Sequence, residues 1–181
     1  EARRNAALML ACLSAPPHSE AVAASGGVEI LLDAVQRGDA ELTAACAAAL
    51  EQLVGCNGGR HVIKSGGVAA CVKLLSDDDS NVKLHALRVL ASLVDDDVTG
   101  QTAVCAAGAA EWLVALTAPS SNMDIRSEAI SILCTLTTRP DQLASLVDAG
   151  VVPPLLALVA HGDPDATEAA AAALQRVTTI E

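Results

Sequence analysis

Residues 108–116 read Gly-Ala-Ala-Glu-Trp-Leu-Val-Ala-Leu and residues 150–159 read Gly-Val-Val-Pro-Pro-Leu-Leu-Ala-Leu-Val, a glycine followed by an apolar run in the same phase. Two further copies begin at Gly26 and Gly66, so the four glycines are offset by 40, 42 and 42 residues. Val28, Leu31, Leu32 and Val35 thus align with Val68, Cys71, Val72 and Leu75. The later copies supply Ala110, Leu113, Val114 and Leu116, then Val152, Leu155, Leu156 and Val159. A fixed period of this length marks an array in which each unit buries its apolar stripe only against its neighbours.

A second apolar pattern follows each glycine: Ala49, Leu50 and Leu53; Val89, Leu90 and Leu93; Ile132, Leu133 and Leu136; Ala173, Leu174 and Val177. Met9, Leu10 and Leu13 repeat it near the start of the sequence, which is therefore expected to open inside a repeat. Both patterns have i, i+3, i+4 spacing, which is helical and not strand-like. Gly38 and Asp39, Asp77 to Ser80, Pro119 to Asn122 and Gly162 to Pro164 interrupt the helices and supply N-cap oxygens. A short helix is expected before each glycine, at residues 21–25, 61–65, 103–107 and 143–149, with the glycine as its C-cap.

Composition supports the same picture. Of 181 residues, 52% are apolar, yet one Trp, no Phe and no Tyr are present, while 37 are Ala. The core must therefore be built from Leu, Val, Ile and Ala, which suits closely spaced helices. A formal charge of -11 repels a phosphate backbone and argues against nucleic acid as a partner. The longest apolar stretches, such as residues 151–160, fall short of the roughly 18 to 20 residues of a membrane span, so no membrane insertion is expected. The six cysteines are dispersed without a C-x-x-C pair, which reads as reduced, structural thiols in a cytoplasmic setting.

Glycine, an L-V-x-L-L-like run, a polar break and a closing A-L-x-x-L helix together resemble the armadillo repeat. Pro153 and Pro154 stand where that family often starts its second helix. The resemblance implies an all-α fold, a right-handed α-solenoid or superhelix of about four armadillo repeats plus a partial N-terminal repeat. The expected layout is residues 1–14 as the last helix of a preceding repeat, then repeats at 15–54, 55–94, 95–138 and 139–181 in one continuous domain. Met9, Leu10 and Leu13 are expected to be partly bare, as in a segment of a longer array or larger complex.

Catalytic constellations are missing from the sequence. No G-x-S-x-G or H-E-x-x-H is present, and His18, His61, His85 and His161 fall in different repeats. Residues 55–60, Gly-Cys-Asn-Gly-Gly-Arg, lack the G-K-[ST] ending of a phosphate loop and are expected to form an interhelical turn. Residues 95–100 begin like a calcium loop, but Ala106 stands where its closing Glu belongs. No enzyme, metal or cofactor is expected.

Armadillo proteins line their concave groove with the third helix of each repeat, and nuclear-import adaptors of the family carry Trp and Asn four residues apart there. The Asn-equivalent positions are Cys12, Gln52, Ser92, Thr135 and Arg176; the Trp-equivalents are Leu8, Ala48, Arg88, Ser131 and Ala172. With neither Trp nor Asn on any rung, binding of nuclear-localisation peptides is not expected. The ladder instead offers Gln52, Arg88, Ser92, Ser131, Thr135 and Arg176, with His85 and Glu128 one turn earlier. Arg88 and Arg176 are the candidates for gripping a carboxylate of an extended or helical peptide. Trp112 is a possible interface anchor, or else packs between repeats. The resemblance implies a non-catalytic scaffold or adaptor that binds another protein. Its alternatives are a structural part of an assembly such as the ciliary axoneme, the substrate-binding module of a larger armadillo protein such as a ubiquitin ligase, or an exchange factor acting on Hsp70.

Overall fold

The computed structural model describes residues 5, 9–10, 12–14, 18–36, 40–96, 98–118, 121–161 and 164–178. Two compact units make up the chain, residues 1–107 and residues 108–181. Unit 1 contains α1 (Ser19–Ala24), α2 (Gly27–Gln36), α3 (Ala40–Leu53), a π-helical turn (Val54–Gly58), α4 (Gly59–Lys64), α5 (Gly67–Leu74), α6 (Ser80–Asp96) and α7 (Val98–Ala106). Unit 2 contains α8 (Ala109–Leu116), α9 (Met123–Leu136), α10 (Pro140–Asp148), α11 (Val152–His161) and α12 (Pro164–Thr178). Among the described residues there is no strand, and no single helix is long and apolar enough to cross a membrane.

The repeat's punctuation has a backbone cause. Gly26, Gly66, Gly108 and Gly150 have φ values of 84°, 72°, 73° and 84°, in the left-handed region that costs other residues steric strain. Each ends a short first helix and lets the second begin almost at once in a new direction. Gly66 and Gly108 are thereby also the N-caps of α5 and α8.

The third helices start on the polar breaks. Asp79 Oδ1 accepts from the Asn81 backbone N–H at 2.8 Å, and Asn122 Oδ1 accepts from that of Asp124 at 2.9 Å. Each bond satisfies a backbone donor that the first helical turn leaves without an intrahelical partner. Asn122→Ala should therefore lower stability by about 1 kcal/mol. In a thermal melt this reads as a fall of roughly 2 to 4 °C, with Asn122→Asp retaining the wild-type midpoint. The breaks at Gly38 and Asp39, Pro119 and Ser120, and Gly162 and Asp163 lie outside the described residues.

Burial follows the two apolar patterns. In unit 1, Leu31, Leu50, Leu53, Leu75, Leu87, Leu90 and Leu93 are all below 2% exposed, as α3 packs against α2 and α6, and α5 against α2 and α6. In unit 2, Leu113, Ile132, Leu133, Leu136 and Leu146 are equally buried where α8 meets α9 and α12 meets α9, α10 and α11. A polar tie joins the first two repeats: Ser65 Oγ, after α4, donates to Glu29 Oε1 on α2 at 2.5 Å. That bond, with one from its own backbone, holds the Glu29 carboxyl below the usual range.

Residues 55–60 correct the expectation of a turn. The chain stays helical, passing from α3 through the π turn into α4. Here the backbone runs against itself, because a side chain added at Gly58 would begin 2.8 Å from the Leu53 carbonyl carbon and closer still to its oxygen. The next junction repeats the device. Between α6 and α7, a side chain at Gly100 would begin 2.7 Å from the Leu93 carbonyl carbon and overlap its oxygen. The segment read as a calcium-like opening is thus a junction of two helices, with Asp97 outside the described residues.

Candidate functional site

The polar ladder positions fall into two sets, one on each unit. In unit 1, Gln52 lies on α3, while His85, Arg88 and Ser92 lie on the adjacent α6. Gln52 and Arg88 are exposed; His85 and Ser92 are half-buried. What joins the two helices is Glu51, which no column of the sequence reading singled out. Its Oε2 is 2.6 Å from His85 Nδ1, and its Oε1 is 3.6 Å from Arg88 Nη1. An ionised carboxylate only accepts, so His85 donates through Nδ1–H. His85 and Arg88 reach the same carboxylate because residues three apart on a helix share a face.

With side chains 28 to 43% exposed, these contacts add little to stability. They bring an imidazole and a guanidinium beside one carboxylate on the face that α3 and α6 share. Arg88, expected to receive a partner's carboxylate, already has one from its own chain nearby. The signal for Glu51 was present as an acid beside a ladder position, but the pair spans 34 residues and not the 40 of the repeat. Comparison by column therefore passes over it.

In unit 2, Glu128, Ser131 and Thr135 follow one another along α9, and Arg176 lies on α12, which packs against α9. Ser131 and Arg176 are exposed, whereas Glu128 and Thr135 are half-buried. The Thr135 hydroxyl donates to the Ser131 carbonyl at 3.1 Å, a bond within its own helix. Arg176 is close enough to Cys134 to be felt electrostatically. Burial pushes that thiol up, and the guanidinium pulls less strongly the other way.

Trp112 lies on α8, a second helix, and does not belong to the third-helix ladder. It is 42% exposed; its counterpart Ile30 is 46% exposed, Ala70 is buried and Pro154 is half-buried. Of the N-terminal ladder positions, Cys12 is exposed and Leu8 lies outside the described residues.

Among the described residues no group of three or more His, Cys, Asp and Glu side chains is placed to hold a metal ion. Burial pushes the Cys46 thiol up to about 11 and Cys71 up to about 12, so both stay protonated and unreactive at neutral pH.

Comparison with known proteins follows the same lines. The family model for the armadillo/beta-catenin-like repeat matches residues 60–95 and 139–179. No curated protein sequence matches the chain. Among solved structures, an engineered protein is 29% identical, with a TM-score of 0.82 over 97% of this chain and 73% of its own. A designed armadillo repeat protein, 20% identical, superposes with a TM-score of 0.83 over 96% of this chain and 75% of its own. Another designed armadillo repeat protein, in complex with the peptide (KR)4, is 18% identical with a TM-score of 0.79 over 96% of this chain and 73% of its own. Left-handed glycines at the repeat period, three helices to a repeat, the matched family model and these superpositions agree, and the chain is folded as a solenoid of armadillo repeats.

Proposed function

We propose that this chain is a non-catalytic protein-interaction module in which the third-helix faces bind an extended or helical segment of a partner protein. The observation that carries the reading is the arrangement on α3 and α6. There the Glu51 carboxylate bonds the half-buried His85 and lies 3.6 Å from Arg88, beside the exposed Gln52, which gathers hydrogen-bonding groups on one helical face. Such a face suits a backbone or polar side chains better than it suits a reaction, since no nucleophile is paired there with a base. The designed armadillo repeat protein bound to (KR)4 supports peptide binding by this fold. The net charge of -11 weighs against nucleic acid.

The test is selection from a displayed peptide library, followed by calorimetric titration of a selected peptide against three proteins: wild type, Arg88→Glu and Arg176→Glu. Reversal at a contacting arginine is expected to weaken binding by at least about tenfold, or about 1.4 kcal/mol. Both variants should keep the wild-type melting curve, because both side chains are exposed. Recovery of no peptide, or equal affinity for all three proteins, overturns the reading.

A further inference from the structure

His85 is engaged at one ring nitrogen only. Its Nδ1 lies 2.6 Å from Glu51 Oε2, and among the described residues its Nε2 has no hydrogen-bond partner. Nε2 is nevertheless not an orphaned interior atom. Among the described residues, the side-chain nitrogen or oxygen that is buried without a partner is Gln101 Oε1. The His85 side chain is 28% exposed, and its Nε2 therefore reaches solvent.

The hydrogen bond at one ring nitrogen decides the chemistry of the other. A neutral imidazole carries one N–H, so a carboxylate that takes this hydrogen at Nδ1 leaves a lone pair at Nε2. Without that carboxylate the proton is shared between the two nitrogens, and the solvent-facing atom is a donor in one tautomer and an acceptor in the other. Glu51 on α3 thus determines what His85 on α6 presents, without needing to touch a partner itself.

An acceptor placed beside these charges selects its ligand. A partner's carboxylate has no hydrogen to give Nε2 and meets the negative charge of Glu51. A lysine or arginine side chain has hydrogens to give but meets Arg88, three residues further along α6, whose Nη1 is 3.6 Å from Glu51 Oε1. A neutral N–H satisfies the lone pair and opposes neither charge. Every residue of a peptide except proline carries one on its backbone. A helical segment keeps those groups in its own ladder beyond the first turn, whereas an extended segment presents them outward.

We propose that Glu51 locks His85 in its Nδ1–H tautomer and that His85 Nε2 accepts a backbone N–H from an extended segment of the partner. The proposal rests on the peptide-binding reading and adds to it the chemistry that one position of the peptide must have. Glu51 is the positioning residue and His85 the contacting one.

Two readouts separate this proposal from the reading on which it rests. The first needs no ligand: nitrogen–proton correlation spectra of the full chain with isotope-labelled histidine, at about pH 9, where imidazole side chains are neutral. The His85 signals are identified by their loss in His85→Ala. Nε2 is expected at the shift of an unprotonated ring nitrogen and Nδ1 at that of a protonated one, and Glu51→Ala should draw the two shifts together. The second readout uses a peptide selected from the displayed library, with each backbone amide replaced in turn by an ester, which deletes one N–H. At one position the ester is expected to weaken binding to the wild type about fivefold, and to make less than about a twofold difference against His85→Ala. An Nε2–H tautomer in the wild type overturns the proposal whatever the peptides do. Bound peptides with no ester position that depends on His85 overturn it as well, and leave the broader reading standing. Recovery of no peptide overturns both.

Discussion

Gly100→Ala is expected to destabilise unit 1 by more than about 3 kcal/mol, the upper end of what overpacking ordinarily costs. An ordinary glycine inside a helix behaves in the opposite way. Replacing it with alanine reduces the freedom of the unfolded chain and raises stability by about 0.5 to 1 kcal/mol. Gly100 is buried in the first half of α7, and a side chain there would begin 2.7 Å from the Leu93 carbonyl carbon and overlap the carbonyl oxygen. Both obstructing atoms are backbone, so no rotamer change relieves the clash and α6 must move away from α7. Urea denaturation of Gly100→Ala beside Ala106→Gly, an exposed site on the same helix, measures the effect. The control, at the last residue of α7, should lose no more than about 1 kcal/mol, from helix propensity alone. A Gly100→Ala midpoint at or above that of the wild type shows that the close approach does not exist.

The parts of this fold legible in the sequence are those in which one residue type answers one physical demand. Gly26, Gly66, Gly108 and Gly150 announce the period because only glycine enters the left-handed region without cost, and each has the positive φ that its place in the pattern calls for. Asp79 and Asn122 cap third helices from within breaks that were read as cap-bearing. The π turn at residues 54–58 was not legible. Gly55, Gly58 and Gly59 are turn residues by local propensity, and only the nearness of Leu53 shows that Gly58 is needed for close packing inside a continuing helix. Glu51 was missed because its bond to His85 runs diagonally between neighbouring helices. Leu156 carried no warning of its exposure either, since it differs from the buried Leu32 in its neighbours and not in its identity.

Leu93→Ala tests the phase of the whole array, and an expected loss of roughly 2 to 5 kcal/mol makes it the second large effect. Leu93 closes the apolar pattern of α6 and is 1% exposed. Its Cδ2 lies 3.0 Å from where a side chain on Gly59 would begin, so it fills the space between its own third helix and the first helix of the same repeat, α4. Truncation removes a methine and two methyl groups from contact with both helices. The cavity left behind collapses poorly, because Gly59 has no side chain to move into it. Leu156→Ala is the matched control: the same atoms are lost from a position 55% exposed, where the change should stay within about 0.5 kcal/mol. The urea midpoint of Leu93→Ala should therefore fall well below that of the wild type, while the midpoint of Leu156→Ala should hardly move. Equal midpoints for the two variants mean that the columns are out of phase. A large drop for Leu156→Ala alone means that the column of Leu156, and not that of Leu93, faces the core.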